Sequence, residues 1–256
     1  MSFNLSSIQS GATNANRPPI LICYGVHGVG KTTLGAMFPN PILLRCEDGL
    51  GGLAVDAFPK AETFDDVMTA LQALATEDHG YQTLVVDSLD WLEPMVWEQT
   101  CRNNGWQSIE EPGFGKGYVA TMDQWREYMD AVNYLRDAKG MTIFQIAHTD
   151  IRTFEDPNAD SYSRYEIKLH KKASALVQEH ADAILFANYR VSVKTSEGGF
   201  GAKKARAIGS GERLLYTEER PSFLAKNRYG MDPSLPMEFG AIAHFIPALQ
   251  GAGGNA

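Results

Sequence analysis

The chain has 256 residues, 44% of them hydrophobic, enough to bury a core as one large domain or two small ones. Its formal net charge of −8 argues against a protein that coats polyanions with its whole surface, and leaves room for a local basic patch. Cys23, Cys46 and Cys101 lie far apart without a C-x-x-C pair, so neither a zinc site nor a disulfide framework is indicated. Cys23 and Cys46 sit in apolar runs and read as buried free thiols.

Residues 1–18 form a polar leader with little reason to pack, and without the apolar stretch of a signal peptide. No apolar run is long enough to span a bilayer, so the expectation is a soluble, cytoplasmic protein with no membrane partner. The first strand is expected at Pro19–Tyr24. Gly25-Val26-His27-Gly28-Val29-Gly30-Lys31-Thr32 follows, fits G-x-x-x-x-G-K-[ST], and continues through Thr33 into a short helix stopped by Pro39. Strand, glycine-rich turn and helix in that order are the context the pattern needs. The glycines let successive N–H groups face a phosphate, and the helix start adds unpaired N–H groups and its positive dipole end. Lys31 would reach the β- and γ-phosphates and the Thr32 hydroxyl would ligate Mg²⁺, which makes this a nucleoside triphosphate site.

A second strand, Pro41–Cys46, ends in Glu47-Asp48 and a glycine-rich turn, and a helix is predicted from Thr63 to Thr76. Tyr81–Ser88 reads as a buried strand closing on Asp87. An apolar strand ending in Asp, about fifty-five residues after a P-loop, is the arrangement in which a carboxylate holds Mg²⁺ directly or through water. A helix is expected over Leu89–Arg102, interrupted near Pro94, then a glycine-rich loop over Gly105–Gly117 and a long helix over Tyr118–Lys139. The next strand, Met141–His148, stops at a polar residue. Asp150–Arg164 reads as a polar loop, and Leu169–His180 as a helix whose basic start, Lys171 and Lys172, opposes its dipole. In the last third a strand from Ala183 to Lys194, a turn and a return over Lys203–Ile208 make a hairpin, with further strands at Arg213–Tyr216 and Phe223–Arg228. The sum is an α/β fold, a mainly parallel sheet flanked by helices with a C-terminal antiparallel extension. One domain is expected over 19–247, with a flexible tail over 248–256.

These residues resemble the RecA-like branch of P-loop ATPases, and more closely the phage-encoded, AAA-labelled family associated with single-strand annealing and recombination. The P-loop, Glu47 in its Leu44–Leu50 context, Leu84-Val85-Val86-Asp87-Ser88-Leu89, Gly113–Tyr118, the strand ending at His148 and Phe223–Arg228 carry the likeness, in family order. The resemblance implies ATP and Mg²⁺ as cofactors and a host-cell cytoplasmic location. It implies Glu47 as the base that activates water, with Asp48 next door as the alternative, and His148 as a γ-phosphate sensor. Lys226 and Arg228 match a basic pair that such proteins project into a neighbour's site, where cations would stabilise the transferring phosphoryl group. A head-to-tail homo-oligomer, ring or filament, follows from that assignment.

The family places DNA-binding loops after the two site strands. Here these carry Lys116, and then Arg152, Arg164, Lys171 and Lys172 with interleaved aromatics, a mixture suited to single-stranded DNA. A single-strand-binding protein is a further partner the resemblance implies. The rival reading keeps the ATPase and gives the loops a protein to grip, as in a loader or remodelling module. A small-molecule kinase fits less well, because no arginine-rich lid lies between the sensor strand and the hairpin.

Overall fold

The computed structural model describes residues 16–49, 51–156, 160–197 and 203–250. Alternation of side chains builds two cores on one sheet. In β1 (Ile20–Gly25), Ile20, Ile22 and Tyr24 face one layer, and Leu21 and Cys23 the other. The same sorting holds for β2 (Pro41–Arg45), where Ile42 and Leu44 oppose Leu43, and for β4 (Thr83–Asp87), where Leu84 and Val86 oppose Val85. Covered on both faces, these strands have no polar side, which is why they read as unbroken apolar runs. Cys23 and Cys46 are fully buried, and burial pushes both thiols up to about 12.

One layer is formed by α2 (Phe64–Thr76), α3 (Leu89–Asn104), α5 (Met122–Lys139) and α6 (Lys171–His180), with Trp125 and Tyr128 buried against the sheet. Thr63 caps α2 in a reciprocal box with Asp66, which fixes its start where the periodicity placed it. The other layer is α1 (Lys31–Ala36) and the C-terminal segment with α7 (Phe239–Ala243). The sheet has ten strands among the described residues. With β3 (Asp56–Ala57), β5 (Thr142–Phe154), β7 (Ala183–Glu197), β8 (Lys203–Tyr216) and β10 (Ser234–Pro236), its order is β10-β8-β7-β1-β5-β4-β2-β3. Strands from β7 to β3 in that order are parallel, and β8 and β10 extend the edge antiparallel, as expected.

Several expectations change. The helix at Pro94 is continuous: Leu89, Leu92, Met95 and Val96 are buried on both sides of the proline, and their packing outweighs one lost i→i−4 bond. The long helix is instead α4 (Lys116–Ala120) and α5, separated at buried Thr121, whose hydroxyl bonds the Tyr118 carbonyl. Asp150–Arg164 is not a loop. β5 runs six residues past His148 and pairs antiparallel with β6 (Tyr162–Ile167) in an arm off the main strand order. Phe223–Arg228 is not a continuous strand; only β9 (Lys226–Asn227) pairs with β7. Arg213–Tyr216 is the end of β8.

Residues 1–15 of the leader, the hairpin turn at 198–202 and the end of the tail at 251–256 lie outside the described residues. At the leader's end Arg17 makes a two-pronged bond to Asp137 on α5. Pro247–Leu249 forms a 3₁₀ turn with Leu249 buried. No helix of the described residues is long and apolar enough to cross a membrane.

Gly25 closes β1 against β7, and a Cβ there would sit 2.1 Å from the Ala187 carbonyl oxygen, a backbone atom that cannot rotate away. Gly25→Ala is therefore expected to lower unfolding free energy by about 2–3 kcal/mol, measured by denaturant titration.

Candidate nucleotide site

Parallel strands deliver their C-terminal ends to one edge. Register sets Gly25 of β1 beside His148 of β5, and Arg45 of β2 beside Asp87 of β4. Residues far apart in sequence thus share the place where open α/β sheets bind ligands.

The loop Val26–Gly30 turns from β1 into α1. Gly30, the residue before α1, has φ 102°, a conformation that costs glycine little and other residues much. Tyr189 on β7 donates its hydroxyl to the Gly28 carbonyl, and Arg213 on β8 donates to the Val29 carbonyl, both at 3.4 Å. Lys31 is buried and its ammonium donates to the Gly25 and Val26 carbonyls, each at 3.1 Å. Burial holds its pKa below the usual lysine value. Those bonds are to neutral carbonyls, so the charge is kept on the loop for an anion. Thr33 is exposed on α1 one residue beyond Thr32.

The Thr32 hydroxyl donates to Asp87 Oδ2 at 2.7 Å, while Asp87 Oδ1 is buried without a hydrogen-bond partner. An orphaned carboxylate oxygen beside a hydroxyl matches the oxygen donors that Mg²⁺ prefers, so the predicted pair fits this ion. Thr32 and Asp87 would hold it together with phosphate oxygens. When bound, the ion supplies positive charge to the phosphates.

Glu47 and Asp48 part company in the fold. Asp48 is 81% exposed and bridges to Lys60, whereas the Glu47 side chain is 21% exposed and turns inward. Glu47 Oε1 lies 4.0 Å from His148 Nε2. Partial burial, then the Asp87 charge, pushes the Glu47 carboxyl up to about 7, against an opposing pull from His148. Asp90, in the first turn of α3, accepts from the His148 backbone N–H at 2.9 Å and pairs with ring Nδ1 at 2.9 Å. A carboxylate at Nδ1 fixes the ring so that Nε2 faces Glu47. The His27 ring stacks on His148 at 4.2 Å. This arrangement can hold a water next to a carboxylate whose proton affinity suits neutral pH.

Asp90, Arg213 and Tyr189 join the site without being among the residues that the sequence motifs mark. Asp90 carried a signal, a carboxylate one helical turn beyond the strand that ends in Asp87. Arg213 and Tyr189 carried none, because only the β7–β8 pairing brings them to the loop.

The remaining predicted residues lie elsewhere. Lys226 pairs opposite Ile184 of β7, three residues before Ala187, which pairs with Gly25 at the start of the P-loop. Its ammonium donates to the carbonyls of Gln178, Glu179 and Ala181, closing the C-terminus of α6. Arg228 pairs with Asp182 at 3.2 Å. Both cations have intrachain partners, and the structure does not bring them to this chain's own cradle. Arg164 is corrected as a DNA contact: it is buried, bonds Glu219 at 2.8 Å and lies over the Phe154 ring. Lys116, Lys171 and Lys172 are exposed. Stacking of Tyr118 on His170 at 4.1 Å joins the start of α4 to that of α6, while Arg152 pairs with Asp150 at 3.0 Å and donates to the Leu169 carbonyl.

A P-loop between β1 and α1, with a carboxylate strand one place removed from β1 and an inward glutamate, defines a P-loop nucleotide-binding fold. The chain belongs to a family described as AAA domain, whose model matches residues 17–229, and is an AAA-type P-loop ATPase. Comparison with curated proteins found no match.

Proposed function

We propose that the protein hydrolyses Mg-ATP to ADP and phosphate, with Glu47 as the base for the attacking water, and that single-stranded DNA is the ligand its turnover serves. The observation that carries the first part is Glu47, inward-facing with its proton affinity raised toward neutrality, opposite a histidine fixed by Asp90. Lys31 holds the β- and γ-phosphates, and His148, its Nδ1 taken by Asp90, keeps Nε2 turned to Glu47 beside the γ-phosphate. The loose phosphoryl transition state needs a positioned water and compensated charge, and these residues supply both.

The DNA part is supported by Lys116, Lys171 and Lys172, exposed at the starts of α4 and α6, which the Tyr118–His170 stack joins. In a chain of net charge −8, a local collection of exposed lysines is what a phosphate backbone would find. Annealing or strand exchange, in the setting of phage recombination, is the task the family resemblance gives such a protein.

Affinity for an oligothymidylate, measured by anisotropy across a salt series, tests the DNA part. Neutralising Lys171 and Lys172 together is expected to flatten the log–log slope by about one to two units. An unchanged slope in a folded variant removes these lysines from the phosphate contacts.

A further inference from the structure

Beside the nucleotide site, on the far side of Asp90, lies a cavity of about 450 Å³, within the ~300–1,000 Å³ usual for small-ligand sites. Its walls come from four separate segments. The start of α3 gives Trp91, Pro94 and Trp97; α4 gives Tyr118; β5 gives Arg152; and the turn before α6 gives Lys168. Trp91 keeps 50% of its surface exposed, a large cost for an indole that serves only the fold. Tyr118 is locked in place by Trp97 edge-on at 5.4 Å and by the stacked His170 ring.

Charge around the cavity is divided. Its two carboxylates, Asp90 and Glu93, are buried and turned inward, Asp90 onto His148 and Glu93 onto the His170 backbone N–H. The cations stand at the rim: Lys168 is exposed and makes no ion pair among the described residues, and Lys171 and Lys172 follow within a turn. Aromatic walls with a cationic rim suit an unstacked base with its phosphates outside, the chemistry by which single strands are held. An apolar protein side chain would leave the rim cations without partners.

We propose that this cavity seats a base of single-stranded DNA against Trp91 and that its occupancy reaches the nucleotide site through Asp90. The proposal rests on the single-strand reading above and gives that ligand a seat and a consequence. Trp91 adjoins Asp90 in the first turn of α3, and Asp90 holds both the backbone and the ring of His148, which faces Glu47. A base stacked on Trp91 sets this turn, and the turn sets how His148 stands to Glu47. Asp90 is thus a positioning residue, linking strand binding to water activation.

The test uses the full chain, a fluorescein-labelled oligothymidylate and Mg-ATP. Trp91→Ala is expected to weaken oligonucleotide binding about five- to a hundredfold, Trp91→Phe to restore most of it, and ATP affinity to hold in both, which shows the fold intact. Asp90→Asn is expected to bind the oligonucleotide as wild type does while losing most of the stimulation of ATP turnover, a ratio that a merely structural role would not move selectively. Oligonucleotide affinity unchanged in Trp91→Ala overturns the seat, and full stimulation in Asp90→Asn overturns the link. If wild-type protein binds no oligonucleotide at low salt, the single-strand reading fails and the seat with it, an outcome distinct from either variant result.

Discussion

Lys31→Ala is expected to reduce ATP turnover by about a hundred- to a thousandfold and to weaken ATP binding, measured by phosphate release and by nucleotide titration. The size follows from where the ammonium sits. Lys31 is buried at the loop, bonded only to the Gly25 and Val26 carbonyls. A triphosphate in the loop would meet this cation in a site from which water is largely excluded, where one charge counts for more than in bulk solvent. The substitution also leaves those two carbonyls without their donor, so the loop itself loosens. Arg213 reaches the same turn from β8 but donates to the Val29 carbonyl and cannot replace an ammonium inside the loop. Turnover above about a tenth of the wild-type rate would place hydrolysis somewhere other than this loop.

Glu47→Gln separates binding from chemistry. The amide keeps the size of the side chain and loses the lone pair that takes a proton from water. ATP is expected to bind with little change, while turnover falls about a hundred- to ten-thousandfold. Removing the negative charge next to Asp87 can even favour the phosphates, because Asp87 is among the causes that raise the Glu47 carboxyl. Asp48→Asn, at an exposed position bridged to Lys60, is expected to retain near wild-type turnover. The reverse pattern, with Asp48→Asn dead and Glu47→Gln active, would move the base to the neighbouring carboxylate. Nucleotide titration beside single-turnover phosphate release distinguishes these outcomes.

The parts of the fold legible in the sequence are those whose signal is local. β1, β2 and β4 are apolar on both faces and ended by glycine or carboxylate, so strand and site residue were read together. Thr63 and Asp66 mark the start of α2 without help from anything distant. The arm formed by β5 and β6 was not legible, because beyond His148 only one partner strand covers it and its residues turn polar. The branched residues Thr149, Ile151 and Thr153 alternate there, a signal that the Asp-Pro-Asn following in sequence obscured. Arg164 looked like a surface cation because its partner Glu219 is 55 residues away. Lys226 looked free because the end of α6 that it closes is set by tertiary contact. The cavity beside Asp90 belongs to the same class: each aromatic was visible, and only the packing of four segments puts them around one space.

The proposed function is an ATPase whose P-loop chemistry answers to a single strand. Its most direct test is the steady-state rate of phosphate release from Mg-ATP by the wild-type protein, with and without an oligothymidylate. Turnover is expected to vanish when Mg²⁺ is chelated and to rise several-fold with the oligonucleotide. No turnover under either condition would contradict the catalytic reading of Glu47 and Lys31, and turnover indifferent to the oligonucleotide would contradict its coupling to a single strand.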